Sequence, residues 1–189
     1  FNLKPLDHVV VIGGGTMGSG IAYAFLNASI KVTILESDDP GIKRANTAID
    51  KIISASLASG HIDPQAAADR RNRLKMIMIQ PDPDTAKLVN DNLTDVDLVI
   101  EAVFEDLAIK KEILQAIEPA LNPDAIMATN TSYLDVNKLA ACLENPSRFV
   151  GLHFFAPAHI MKLLEIVKGS ETSPVAIAMG YAVAKSLGK

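Results

Sequence analysis

Residues His8-Val9-Val10-Val11-Ile12 form a short apolar run that ends in Gly13-Gly14-Gly15-Thr16-Met17-Gly18. Such a run, closed by glycine, reads as a buried strand. The segment after it reads as a helix, because Met17, Ile21, Phe25 and Ala28 recur at the spacing of one helical face. A strand that enters a helix through G-x-G-x-x-G leaves few folds open. The first glycine permits the tight bend, the second keeps a Cβ out of the way of a phosphate, and the third lets the helix pack against its strand. The uncapped N–H groups and positive dipole end of the new helix then face an anion. Taken alone, the hexad also fits an ordinary glycine-rich turn.

The residues that follow narrow the choice. Ile30 to Leu35 reads as a second strand ending in Glu36, about 20 residues past the glycines, where an acid can accept hydrogen bonds from an adenosine ribose. A carboxylate there repels a 2′-phosphate, so the reading predicts NAD in preference to NADP. Gly13, Gly15, Thr16, Met17, Gly18 and Glu36 are therefore the expected cofactor-binding residues. The competing reading of Glu36 is a solvated charge at a strand end.

The rest of the chain alternates strands with helices, which implies a parallel sheet. A helix is expected from Asp38-Asp39-Pro40 to the stop at Gly60, and another from Pro64 to about Leu74. Lys75 to Ile79 is a third strand, with a loop enforced by Pro81 and Pro83 behind it. Asp97 to Val103 is a fourth, nearly all apolar, as a strand covered on both faces should be. Leu107 to Leu121 is a helix ended near Pro123, Ala125 to Thr129 a strand, Val136 to Leu143 a short helix and Arg148 to Leu152 a sixth strand. The strand-like run Leu163 to Val167 comes too soon afterwards for a helical crossover, which needs about a dozen residues, so it should pair antiparallel at the sheet edge. A final helix, roughly Pro174 to Leu187, is expected to lead away from the nucleotide-binding domain. The fold class is a Rossmann-type, doubly wound, mostly parallel sheet with an antiparallel edge strand, in one domain over residues 1–189.

With 189 residues, 49% hydrophobic and 21% charged, the chain has enough apolar surface for one full core. A net charge of −4 and the lack of a basic cluster argue against a nucleic-acid surface. No apolar run approaches a membrane span and no secretion signal opens the chain. The single cysteine, Cys142, reads as core filler in a reducing compartment: the cytoplasm, or the peroxisome or mitochondrial matrix in a eukaryote. No metal-ligand spacing is present. Phe1 at the start and the abrupt close at Lys189 suggest a piece of something longer.

Three polar segments fall at strand ends, where sheets of this kind bind ligands: Glu101 to Asp106, Thr129 to Ser132, and His153 to Pro157. The last carries the most chemistry. Glu165 stands alone in the apolar run Leu163-Leu164-Glu165-Ile166-Val167, and a buried carboxylate is costly unless paired. An edge hairpin would fold it back toward His153. Glu165 would then fix the imidazole, leaving the other ring nitrogen to exchange a proton with substrate. The alternative is a structural histidine and a surface glutamate. His8, His61 and His159 read as structural or solvated, Ser132 as an ST-turn hydroxyl and Lys110 as a helix-surface lysine.

The glycine turn, Glu101-Ala102-Val103-Phe104-Glu105, Asn130-Thr131-Ser132 and His153-Phe154-Phe155-Ala156-Pro157 through Met161-Lys162-Leu163-Leu164-Glu165 together resemble the L-3-hydroxyacyl-CoA dehydrogenases of fatty-acid β-oxidation. The wording is most similar to the dehydrogenase portion of multifunctional hydratase/dehydrogenase enzymes. The resemblance implies oxidation of an L-3-hydroxyacyl-CoA to the 3-ketoacyl-CoA with hydride transfer to NAD. It further implies that His153 is the catalytic base and Glu165 its partner. Ser132 would bond the reacting oxygen, and Glu105, Lys110 and Asn130 would lie along the nicotinamide half of NAD. Ala156 departs from the family, many members of which carry asparagine there. The resemblance also implies a following helical domain, absent from this chain, that supplies a catalytic asparagine, covers the acyl-CoA and in some members dimerises. Two other readings stay open: a non-catalytic NAD-binding module and a dehydrogenase of free hydroxy acids.

Overall fold

Apolar runs and amphipathic stripes assemble into one seven-stranded sheet among the residues described by the computed structural model, 4–79 and 92–189. The loop expected at Pro81 and Pro83 lies outside them. The strands are β1 (His8–Ile12), β2 (Lys31–Glu36), β3 (Leu74–Met78), β4 (Leu98–Glu101), β5 (Ile126–Thr129), β6 (Phe149–Phe154) and β7 (Leu164–Val167). The helices are α1 (Thr16–Asn27), α2 (Asp39–Ala58), α3 (Pro64–Asn72), α4 (Leu107–Ile117), α5 (Val136–Ala140) and α6 (Pro174–Leu187). Sheet order is β3-β2-β1-β4-β5-β6-β7. The first six strands run parallel, and β7 pairs antiparallel to β6.

Strand alternation divides the core in two. Val9, Val11, Val32, Ile34, Leu98 and Ile100 point to a layer built with Ile21 and Phe25 of α1, Ile49 of α2 and Met179 of α6. Val10, Ile12, Leu35, Val99 and Met127 point to the opposite layer, with Leu114 of α4 and Leu139 of α5. Burial on both faces explains why the central strands are apolar throughout rather than alternating. The helix starts are written in the sequence as Asp or Ser caps. Asp38 accepts from Gly41 N at 2.6 Å, Asp63 from Ala66 N at 2.7 Å, Asp106 from Ala108 N at 2.9 Å, and Ser173 from Ala176 N at 3.2 Å. Each such cap stabilises its helix by about 1 kcal/mol.

Several boundaries differ from the sequence expectation for identifiable reasons. β4 stops at Glu101, not Val103, because the Glu101 carboxylate takes the Val103 N–H and bends the chain out of the ladder. α4 ends at Ile117, and Glu118–Ala120 tightens into a 3-10 turn, because Pro119 has no N–H to continue the helix. β6 runs on to Phe154, held there by pairing with Leu164, so His153 lies within the strand rather than after it. Arg148 leaves the strand for a buried ion pair with Glu118 at 3.2 Å. α6 does not lead away. Ala176, Met179 and Val183 are buried against the sheet layer, and Gly180 admits Ile166 so closely that a Cβ would sit 3.0 Å from its Cγ2. No helix among the described residues is long and apolar enough to cross a membrane.

Candidate active site

The strand order reverses between β1 and β4, and the crevice beyond their carboxyl ends is where an open α/β sheet binds ligands. The glycine turn opens onto it. Gly13 adopts φ +92°, a left-handed conformation that L side chains rarely occupy, and its N–H donates to the Leu35 carbonyl at 2.9 Å. A Cβ on Gly18 would lie 1.7 Å from the Gly13 carbonyl oxygen, so the third glycine brings helix and turn into contact. A Cβ on Gly15 would meet no protein atom within 4 Å. The second glycine thus faces open space, as a close approach of phosphate requires. No side chain caps α1 and no acid sits in its first turn. The N–H groups of Thr16, Met17 and Gly18 therefore have no intrahelical acceptor and are available to an anion. The donor set fits a pyrophosphate.

Glu36 ends β2 beside this turn. Its Oε1 accepts from Gly14 N at 2.7 Å and its Oε2 from Ser37 N at 3.2 Å. The carboxylate is half-buried at the strand end.

At the ends of β4 and β5, the strand ends expected to carry ligand-binding residues, lies a network whose centre, Glu101, the sequence did not single out. Glu101 is completely buried. Its Oε1 accepts from Lys110 Nζ at 2.6 Å and Val103 N at 2.7 Å, and its Oε2 from Thr129 Oγ1 at 2.8 Å. Lys110 is also inside, not on the helix surface, and its ammonium further reaches the Val103 carbonyl and Glu105 Oε2, each at 3.2 Å. Glu105 accepts in turn from Thr131 Oγ1 and from Ser132 N at 2.8 Å. Burial opposes ionisation of Glu105, but those hydrogen bonds and the Lys110 charge outweigh it and hold its pKa below the usual carboxylate range. The ST-turn hydroxyl belongs to Thr131, which accepts from Leu134 N at 3.0 Å, and not to Ser132, which is exposed. Asn130 uses its Oδ1 to accept from Phe154 N at 2.8 Å, tying the end of β5 to that of β6.

His153 and Glu165 are directly opposed in the β6–β7 ladder. Imidazole Nδ1 lies 2.8 Å from Glu165 Oε2, with the His153 side chain 17% exposed and that of Glu165 51% exposed. The glutamate holds one ring nitrogen, and Nε2 is left for chemistry. The other histidines serve elsewhere. His8 is buried between Asp95 (2.8 Å) and Thr33 (2.9 Å), His61 bonds Ser59 at the surface, and His159 lies edge-on to Tyr23.

A parallel sheet with a phosphate-binding glycine turn at the reversal of its strand order defines a dinucleotide-binding domain of the Rossmann class. The sequence model of the family described as 3-hydroxyacyl-CoA dehydrogenase, NAD binding domain, matches residues 8–189, and the chain belongs to that family. It is similar to the peroxisomal bifunctional enzyme of Cavia porcellus (37% identity over 186 residues, 98% of this chain and 24% of the relative). It is also similar to the fatty acid oxidation complex subunit alpha of Pseudomonas putida (33% over 184 residues, 97% of this chain and 24% of the relative). Among solved structures, the (S)-3-hydroxybutyryl-CoA dehydrogenase of Ralstonia eutropha superposes with a TM-score of 0.89 at 30% identity, covering 98% of this chain and 62% of that one. The chain thus spans about a quarter of the length of these two sequence relatives.

Proposed function

We propose that these residues form the cofactor-binding and acid–base half of an enzyme that oxidises an L-3-hydroxyacyl-CoA to the 3-ketoacyl-CoA. The observation that carries this reading is the His153–Glu165 pair at 2.8 Å, set at the sheet edge beyond the glycine turn's crevice. Bound NAD supplies the nicotinamide that accepts a hydride from the carbinol carbon. Glu165 accepts a hydrogen bond from Nδ1–H of His153 and so presents Nε2 as the base for the substrate hydroxyl. As the hydroxyl proton reaches Nε2, the same carboxylate stabilises the imidazolium. Ser132, exposed at the end of β5, is assigned to the reacting oxygen. Glu105 and Asn130 are assigned to the nicotinamide half of the cofactor, with Lys110 acting through Glu105 rather than by direct reach. Gly13, Gly15, Thr16, Met17 and Gly18 take the pyrophosphate, and Glu36 the adenosine ribose.

In this reading the acyl-CoA is covered by a helical domain beyond these residues, through which two copies pair; the greater length of the relatives leaves room for it. A reducing compartment, cytoplasmic or organellar, suits the free Cys142. The test is turnover by the full-length protein that contains these residues. L-3-hydroxybutyryl-CoA should be oxidised with NAD far faster than free 3-hydroxybutyrate. His153→Ala should lower kcat by about 10²–10⁴ while NAD affinity stays the same. Faster turnover of the free acid, or an unimpaired His153→Ala enzyme, would refute the reading.

A further inference from the structure

Gly41 lies in the first turn of α2, a place where an alanine would ordinarily favour the helix. Its φ is not left-handed, so the backbone does not demand glycine. The demand comes from the end of β2. A Cβ built at Gly41 would lie 2.4 Å from Glu36 Oε2 and 2.7 Å from Glu36 Cδ, closer than any non-bonded carbon and oxygen can stand. Glu36 cannot simply swing aside at no cost, because Gly14 N at 2.7 Å and Ser37 N at 3.2 Å hold its two oxygens. Gly14 closes the opposite side, since a Cβ there would lie 2.5 Å from Ala45 Cβ of α2 and 3.3 Å from Glu36 Oε1. The carboxylate therefore occupies a slot between two residues that both lack a side chain.

We propose that Gly41 is a specificity-determining residue for the dinucleotide: by leaving its Cβ position empty it lets the long glutamate at position 36 hold its carboxylate where a ribose diol is bound and a 2′-phosphate repelled. This rests on the reading of Glu36 as the ribose acceptor. The geometry also dictates the compensating change. An aspartate at position 36 is shorter by one methylene, about 1.5 Å, so it vacates the space that an alanine at 41 would fill while keeping an acid of the kind such sites use.

The experiment is titration of the full-length protein that contains these residues with NADH and NADPH, with thermal melts recorded in parallel, for wild type, Glu36→Ala, Gly41→Ala, Glu36→Asp and Glu36→Asp/Gly41→Ala. Gly41→Ala is expected to weaken NADH binding about tenfold or more and to narrow the gap between NADH and NADPH. In the Glu36→Asp background the same substitution should change NADH affinity by less than about twofold. The Asp38 Oδ1 cap stands 3.0 Å from the added Cβ in either background, so a loss arising at the cap rather than at Glu36 would persist in the double variant. An unchanged NADH affinity in Gly41→Ala, or an equal loss in both backgrounds, would overturn the assignment of Gly41 alone. Unchanged affinity in Glu36→Ala would refute the ribose reading itself, and this inference with it.

Discussion

Lys110→Met tests whether the network behind the crevice is an electrostatic unit. The substitution keeps the apolar stem and removes the ammonium that lies 2.6 Å from Glu101 and 3.2 Å from Glu105. Glu101, with none of its surface exposed, keeps only the Val103 N–H and the Thr129 hydroxyl, and faces Glu105 with no cation between them. Removing one partner of a buried ion pair costs about 3–5 kcal/mol. The two surviving hydrogen bonds put the expected loss at the lower end, about 3 kcal/mol, or roughly 6–12 °C in Tm for a domain of this size. Urea denaturation followed by circular dichroism measures it directly. Adding Glu101→Gln removes the stranded charge while leaving an oxygen to accept a hydrogen bond, so the double variant should be more stable than Lys110→Met by about 1–2 kcal/mol. A Lys110→Met protein within about 1 kcal/mol of wild type, or a double variant less stable than the single, would refute the account.

Three further outcomes follow. Glu165→Gln in the full-length enzyme should lower kcat with NAD affinity unchanged, because it acts through the orientation of His153; equal kcat and an identical pH–rate profile would mean the two residues do not work together. Gly15→Ala should fold with a stability loss below about 1 kcal/mol yet bind NADH about tenfold or more weakly, whereas Gly18→Ala, with its Cβ 1.7 Å from the Gly13 carbonyl oxygen, should fail to fold; normal NADH binding by the first or normal folding by the second would contradict the geometry of the turn. Burial depresses the pKa of His8 below its ordinary 6.5 despite the pull of Asp95. Its contribution to stability is therefore complete above about pH 6.5 and is lost as pH falls through the folded value. His8→Gln should flatten the stability profile in that range, and an unchanged slope would exclude His8 as its source.

The strand-to-helix turn, the sheet class and the His153–Glu165 partnership were legible because each leaves a local mark: a glycine hexad, apolar runs without alternation, and a carboxylate alone in an apolar strand. Glu101 carries the same mark at the end of Leu98-Val99-Ile100, and its partner Lys110 lies nine residues on, nearer in sequence than Glu165 is to His153. Lys110 was open to discovery, since Leu107, Lys110, Leu114 and Ile117 share one helical face and three of the four are core residues by type. Reading it as a surface lysine gave charge priority over position. The contacts of Glu105 with Thr131 and Ser132 depend on β4 and β5 being neighbours, which no spacing within either segment reveals. The slot around Glu36 depends on how α2 docks across β2, and the glycine at 41 had no visible reason until that docking was known.

The ladder between β6 and β7 has a consequence for how this site can change. His153 and Glu165 face one another because of strand register. A slip of one residue would turn every side chain of β7 to the other face and abolish the pair outright, so the pairing is all-or-none rather than adjustable. The connection between the two strands is anchored differently, through its middle: Ala158, 2% exposed, packs on Gly20 of α1, and His159 lies edge-on to Tyr23. Ile160 and Leu163 beside them are 60% and 53% exposed. A lineage built on this domain can thus vary those exposed positions without disturbing the register that sets His153 against Glu165.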